Sequence, residues 1–166
     1  MNSYIRYAFS GLILCVILVS CEPNTDHLEV PEYIASEEFK TMGLPFSQAV
    51  KYGDLLYLSG QVGNIPNSMN LVEGGIGPET RQTMLNIQQV LEANGSSMEQ
   101  IIKCTCMMAD IDEWPEMNKV YEEFFPNNKP ARSAFGTNGL ALGARVEIEC
   151  LAYVLSLIHI SEPTRH

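Results

Sequence analysis

The chain has 166 residues, a formal net charge of −10 and a hydrophobic fraction of 46%. This length permits one domain with a core large enough to fold alone, and the composition argues against disorder as the main state. The negative charge argues against a nucleic-acid partner, which requires a basic patch, and five cysteines are too few for a disulfide scaffold.

Residues 1–20 have the features of a signal peptide. An arginine near the start is followed by an apolar run over residues 8–19, too short to span a bilayer as a stable helix. The sequence LVSC at 18–21 resembles a bacterial lipobox, in which the cysteine accepts lipid; an uncleaved anchor helix is the alternative. We therefore expect Cys21 to anchor the protein in a membrane of the cell envelope, facing the periplasm. Residues 21–42 are then a tether and N-terminal segment.

The following part of the chain is predicted to begin with a β-hairpin. Residues 46–50 and 55–59 are β-like, and residues 51–54 between them are typical of a tight turn. Residues 60–77 are rich in glycine and are predicted to form a loop.

A helix is predicted to follow, because Pro78 suits a first helical turn and Glu79 favours a helix N-terminus. Its apolar residues recur at helical spacing: Met84, Ile87, Val90 and Leu91. Asn94 and Gly95 are expected to end it. A capping pattern at residues 97–100 predicts only a short turn, since residues 101–108 have the pattern of a buried strand.

A second helix is predicted with Asp112 as its N-cap and Pro115 in its first turn. Its apolar stripe comprises Trp114, Met117, Val120, Tyr121, Phe124 and Phe125. Pro126 is expected to end the helix, before strands at 131–135 and 144–154. The order β-β-α-β-α-β-β predicts an α+β domain with two helices on one face of a sheet.

The last predicted strand carries charged residues on one face. Arg145, Glu147 and Glu149 alternate with apolar residues there, which fits either a solvated face or a site. Arg132 lies in a short strand among small apolar residues. It is expected to pair with a carboxylate, either that of Glu147 in a structural ion pair or that of a ligand.

Cys104 and Cys106 are predicted to face the same side of their strand. The favoured interpretation is that both are small buried hydrophobic residues, because their spacing matches no usual zinc or redox motif. A disulfide from either one to Cys150 is the alternative in an oxidising compartment. The chain also has no phosphate-binding glycine fingerprint and no nucleophile elbow.

Several short motifs together resemble those of one known family, the Rid (YjgF-type) reactive intermediate deaminases. They occur in the family's order and spacing across residues 43–154, which we take as a Rid-like deaminase domain. The motifs are SGQ at 59–61, TRQT at 80–83 with NI at 86–87, VYEEFF at 120–125, PARS at 130–133 and VEIEC at 146–150.

The resemblance implies a chorismate-mutase-like (bacillus-type) fold, with a mixed β-sheet, assembled as a homotrimer with three ligand clefts between subunits. It implies hydrolytic deamination of short imines and enamines, such as 2-aminoacrylate, to 2-oxo acids and ammonia. No metal or cofactor is implied, and the partners would be the small-molecule substrate and other copies of the chain.

The resemblance also implies roles for individual residues. Arg132 matches the arginine that clamps the substrate carboxylate, and Glu147 matches the residue that positions water. Gly60 and the backbone at Ala134 are expected to line the cleft, and Asn118 matches a family position on the second helix. Arg132 and Glu147 are therefore expected to face one cleft, which lies between subunits in a trimer.

Two substrate-binding positions depart from the family pattern. Phe46 stands where the family usually has tyrosine, so a cleft hydroxyl is missing, and Ala134 replaces a common cysteine. Retention of Arg132 and Glu147 favours an active deaminase. The usual substrates of the family arise in the cytoplasm, whereas the signal peptide predicted at residues 1–20 would place this protein outside it. The alternative is therefore a trimeric binding protein for small carboxylates, anchored at the envelope; a structural lipoprotein is a weaker third possibility.

Residues 155–166 have no counterpart in the family and resemble the translation of a sequencing adapter, with a genuine short extension as the alternative. We therefore give His159 and His166 no functional weight. His27 is then the histidine that remains, and it lies in the tether, which argues against histidine-based catalysis or metal binding in the domain.

Overall fold

The computed structural model describes residues 29–155. The predicted signal peptide, Cys21 and nearly all of the C-terminal tail lie outside the described residues, so the predictions made for them stay predictions. Within residues 29–155, no helix is long and apolar enough to cross a membrane.

The described residues form strands, α-helices and several short 3₁₀ turns. In chain order the elements are β1 (Glu32–Ile34), α1 (Glu37–Thr41), β2 (Ala49–Tyr52), β3 (Leu55–Leu58), β4 (Gln61–Val62), α2 (Ile76–Ala93), β5 (Ile101–Met108), α3 (Trp114–Tyr121), β6 (Ala131–Gly136) and β7 (Val146–Tyr153).

The strands form one mixed sheet in the order β1-β2-β3-β7-β5-β6, and β4 also pairs with β7. The β5–β6 pair is parallel and the other pairs are antiparallel. Helix α2 packs against α3, β4 and β7, and both helices contribute to the core together with alternate residues of β7. The predicted mixed α+β sheet is therefore confirmed.

The hairpin prediction is confirmed, with shifted ends. Strand β2 begins at Ala49 rather than at residue 46, and Phe46 lies before it with half of its surface exposed. Strands β1 and β4 and helix α1 were not predicted, because elements of two to five residues are too short to show a hydrophobic period. Since β1 pairs with β2, ordered structure extends into residues 21–42.

Helix α2 begins two residues earlier than predicted. Gly75 precedes it with a φ of 88°, a conformation that favours glycine. Pro78 still lies in the first turn, where a missing N–H costs no helical hydrogen bond. The helix ends where predicted, with Asn94 as C-cap and Gly95 at a φ of 73°, and the predicted short turn follows at Met98–Gln100.

The predicted N-cap of the second helix was wrong. Asp112 caps nothing; instead the side chain of Asp110 accepts a hydrogen bond of 3.0 Å from the Asp112 N–H. This bond caps a 3₁₀ turn at Ile111–Glu113, which precedes the start of α3 at Trp114. An aspartate two residues earlier serves as the cap because the chain turns before the α-helix begins.

The three described cysteines are buried, as predicted for Cys104 and Cys106, but the preferred interpretation was wrong for one of them. Cys104 and Cys150 lie opposite each other on β5 and β7, with 4.2 Å between their Cα atoms, and form a disulfide. Cys106 is the free thiol among them. Burial raises the pKa of Cys106 to about 11, against the opposing effect of the Arg132 charge, so its thiol stays neutral near pH 7.

The disulfide should contribute measurably to stability, because it closes a loop of 46 residues between two central strands. We expect Cys104→Ala/Cys150→Ala to lower the free energy of unfolding by about 2–4 kcal/mol in urea titrations. Reductant during unfolding should lower the midpoint of the wild type and of Cys106→Ala, but not that of the double variant. A wild-type midpoint indifferent to reductant would contradict the disulfide.

Candidate functional site

Arg132 lies on the edge strand β6 and points toward the helices. It is paired with Cys104 of β5, and residues paired across neighbouring strands point to the same face. Its guanidinium carbon is 4.7 Å from the ring centroid of Tyr121 and 5.7 Å from that of Trp114, both on α3. The guanidinium therefore lies against two aromatic rings.

The Arg132 side chain forms no ion pair or hydrogen bond with any residue that the structure describes. The structural ion pair with Glu147 that the sequence allowed is absent. Arg145 behaves differently, since its Nε donates hydrogen bonds of 3.0 Å to both carboxylate oxygens of Glu113. Of these two arginines, Arg132 keeps its donors available for a ligand.

An open cavity of about 550 Å³ lies beside Arg132. Its lining is Ile111, Asp112, Trp114, Pro115, Arg132 and Ala134. Most of these side chains are apolar, with one cation and one anion among them. A small anion with an apolar substituent matches such a lining, because the guanidinium can bind the anion while the apolar walls cover the remainder.

Glu147 lies on the other face of the sheet, since it alternates along β7 with the buried residues Ile148 and Cys150. It lines a second cavity of about 710 Å³, together with Phe46 and Gly60. Partial burial raises the pKa of the Glu147 carboxyl above its usual range, and the nearby charge of Glu149 raises it further. Such a carboxyl keeps its proton to a higher pH than an exposed one.

Gly60 allows the Glu147 carboxyl to occupy its position. A Cβ atom at residue 60 would lie 2.8 Å from Cδ of Glu147, overlapping the carboxyl group. The adjoining strand β4 is held by Asn86 of α2, whose Nδ2 donates hydrogen bonds of 3.0 Å to the carbonyl oxygens of Val62 and Asn64. In the sequence Asn86 was recognised only as part of a motif; a polar residue on the buried face of a helix is the signal for this role.

The predicted site residues thus form two groups within one chain. Arg132 and Ala134 line one cavity, and Phe46, Gly60 and Glu147 line the other. The predicted common cleft for Arg132 and Glu147 is not formed by a single copy, because the two side chains leave opposite faces of the sheet.

Asn118 lines neither cavity. It lies one turn after Trp114 on α3, and its Oδ1 atom is buried without a hydrogen-bond partner among the described residues. Trp114 and Tyr121 were predicted only as members of an apolar stripe. Their spacing of seven residues puts both on one side of α3, but only the structure shows that Arg132 contacts that side.

Comparisons with known proteins agree on one family. The family model described as endoribonuclease L-PSP matches residues 37–154. The human 2-iminobutanoate/2-iminopropanoate deaminase is 39% identical over 108 residues, which cover 65% of this chain and 79% of that protein.

Solved structures show the same similarity. A protein of unknown function of the Rid family, YyfA from Yersinia pestis, matches with a TM-score of 0.70 and 34% identity, covering 75% of this chain and all of that one. E. coli TdcF, solved with bound serine, matches with a TM-score of 0.64 and 27% identity over 68% of this chain and 90% of that one.

Because the pKa of Glu147 is raised in the folded state, we expect the free energy of unfolding to fall as the pH rises. The folded state holds the Glu147 proton more tightly than the unfolded state does. Proton binding by Glu147 therefore contributes fully to the free energy of unfolding below the ordinary carboxyl pKa of 4.5. This contribution is lost as the pH rises through the higher pKa of the folded state. We expect the unfolding free energy of the wild type to fall over this window relative to Glu147→Gln in urea titrations at matched pH values.

Glu149→Gln is the matched variant for this prediction. It removes the smaller cause and keeps the burial of Glu147, so most of the pH dependence should persist. Identical pH profiles for the wild type and Glu147→Gln would show that the Glu147 pKa is not raised by folding.

Proposed function

Because the chain belongs to the endoribonuclease L-PSP family, which includes the YjgF and Rid proteins, we propose that it hydrolyses short 2-imino acids and their enamine tautomers to 2-oxo acids and ammonia. The names of its relatives support this reaction class. The observation that carries the proposal is the Arg132 guanidinium, which has no acidic partner among the described residues and lines an open, mostly apolar cavity.

In the proposed reaction Arg132 binds the substrate carboxylate. A guanidinium can donate two parallel hydrogen bonds to a carboxylate, which fixes both the position and the orientation of the attached imine carbon. E. coli TdcF, a structural neighbour of this chain, was solved with bound serine, a small molecule that carries a carboxylate like the proposed substrate. Arg132 would therefore act mainly by holding the substrate where water can reach it.

Glu147 is proposed to position the attacking water. Water adds to the electrophilic imine carbon and gives a carbinolamine; the carboxylate accepts a proton from the water and returns it to the departing nitrogen. The C–N bond then breaks as the carbinolamine hydroxyl loses its proton and the nitrogen gains one, leaving a 2-oxo acid and ammonia. The raised pKa of Glu147 suits both proton transfers, and assistance of this kind is worth about 10²–10⁴-fold.

The proposed site needs more than one copy of the chain, because Arg132 and Glu147 line different cavities within one copy. We propose a homotrimer in which a cleft between neighbouring copies brings the two groups together. The sheet face opposite the helices exposes large aromatic side chains that such an assembly would cover. They are Tyr52, Tyr57, Phe135 and Tyr153.

The activity can be tested with 2-iminopropanoate or 2-iminobutanoate generated by an amino acid oxidase. We expect the purified protein to accelerate release of the 2-oxo acid and to sediment as a trimer. Arg132→Ala should lower kcat/KM by at least about 100-fold, because the carboxylate loses its charged partner, while the trimer persists.

Arg81→Ala is the matched control for this test. It removes an arginine whose exposed side chain pairs with Glu123, outside both cavities, so activity should be retained. Full activity in Arg132→Ala would overturn the carboxylate assignment. A wild type that binds 2-oxo acids but does not accelerate imine hydrolysis would instead support the alternative, an envelope-anchored binding protein.

We propose further that lipid on Cys21 anchors the protein at a membrane of the cell envelope, as the lipobox-like LVSC sequence predicts. Its substrates would then be imines that arise outside the cytoplasm. A clickable fatty-acid probe in expressing cells should label the wild type and Cys106→Ala but not Cys21→Ala. Equal labelling of Cys21→Ala would contradict the anchor.

A further inference from the structure

Arg132 has no acidic partner among residues 29–155. Two aromatic rings lie against it, at 4.7 Å for Tyr121 and 5.7 Å for Trp114 from the guanidinium carbon to the ring centroids. Asp112 lines the same cavity but makes no ion pair with Arg132. The neighbouring Cys106 thiol is neutral near pH 7, because burial raises its pKa to about 11.

Aromatic neighbours hold a guanidinium differently from a carboxylate. A carboxylate accepts the in-plane N–H groups and neutralises the charge, and the arginine is then unavailable to a second anion. An aromatic face attracts the cation through its quadrupole and accepts no in-plane hydrogen bond. An arginine held in this way keeps both its positive charge and its forked donors for a ligand.

The two rings differ in their surroundings. Tyr121 is 6% exposed and packs against Phe125 with 4.8 Å between ring centroids, so it belongs to the core. Its hydroxyl has no hydrogen-bond partner among the described residues, and burial raises its pKa above the usual range, so the group stays neutral. Trp114 is 40% exposed and forms part of the cavity wall.

We infer that Trp114 and Tyr121 are positioning residues, which hold the Arg132 guanidinium through their ring faces in place of an acidic partner and leave its N–H donors free for a carboxylate. We call this pair the aromatic clamp. The inference rests on the proposed carboxylate binding by Arg132 and adds two residues that would determine its strength. Tyr121 acts through its ring, and its hydroxyl has no part in the reaction.

Trp114 offers a direct signal because it is the single tryptophan of the 166-residue chain. Titration of the wild type with 2-oxobutanoate should change the Trp114 fluorescence and near-ultraviolet circular dichroism until binding saturates. Arg132→Met should abolish this response, because the ligand then has no cation to bind beside the indole. A saturable response that survives in Arg132→Met would overturn the inference.

Substitutions test the clamp without relying on that signal. Trp114→Leu should weaken 2-oxobutanoate binding in calorimetry, and raise KM, by roughly three- to tenfold, with kcat within about twofold of the wild type. Trp114→Phe should recover most of the loss because it restores an aromatic face. Leu85→Ala, at an apolar residue that is 44% exposed on α2 and lines neither cavity, is the matched control and should change neither quantity.

Tyr121→Phe separates the ring from the hydroxyl. It keeps an aromatic face against Arg132 and removes a buried hydroxyl that has no partner among the described residues, so it should weaken 2-oxobutanoate binding less than Tyr121→Leu does. A large fall in kcat in this variant would show that the hydroxyl takes part in the reaction, and would overturn the inference for Tyr121.

These experiments distinguish failure of the aromatic clamp from failure of the proposed reaction. An Arg132-dependent Trp114 response without imine hydrolysis would overturn the reaction and support the clamp. Imine hydrolysis with wild-type binding and KM in Trp114→Leu would overturn the clamp and leave the reaction standing. Weakened binding that Trp114→Phe fails to restore, or a Trp114→Leu protein that has lost its assembly, would also count against the clamp, because the effect would then lie in packing.

Discussion

The antiparallel pairing of β5 with β7 determines which face of the sheet each candidate residue occupies. Cys104 and Cys150 stand opposite each other in this pair and are joined by a disulfide, so the register of the two strands is fixed covalently. A slip of one residue would move every side chain to the other face. Arg132 takes its orientation from this register because β6 pairs with β5, and Glu147 takes the opposite orientation because it is three residues from Cys150.

The division of the site follows from that register. In one chain Arg132, the proposed carboxylate-binding group, and Glu147, the proposed water-positioning group, open into separate cavities, and neither cavity contains both residues. A second copy is therefore a chemical requirement of the proposed reaction. Oligomerisation and catalysis would be coupled, because the sheet face that carries Glu147 also exposes the aromatic residues available for assembly.

Periodic elements were the predictable part of the fold. Strand β5 matched its predicted range, and the alternation along β7 correctly separated Glu147 from Ile148, because side chains in a strand repeat every two residues. Elements without a period, such as β1 and β4, depend on pairing with distant residues. The N-cap was misplaced for a similar reason, since the 3₁₀ turn capped by Asp110 precedes the α-helical pattern.

The site was predictable only in part. The motifs pointed to Arg132 and Glu147 as candidates, but spacing along the chain does not show that the two leave opposite faces of a sheet assembled from distant strands. The contact between Arg132 and α3 is equally non-local. The sequence left the cysteine pairing open because Cys104 and Cys106 have the same face pattern, and only the register places Cys104 opposite Cys150.

The negative charge of the chain makes it informative that Arg132 has no acidic partner among the described residues. The chain has 20 acidic and 10 basic residues, so an arginine meets a carboxylate more readily than a second cation. In the part of the chain that the structure describes, Arg81 pairs with Glu123 and Arg145 with Glu113. Arg132 escapes such pairing because its strand neighbours are small and uncharged and the facing side of α3 presents aromatic rings. In a strongly negative protein, an arginine kept apart from acids by its packing partners is the group best placed to attract an anionic substrate.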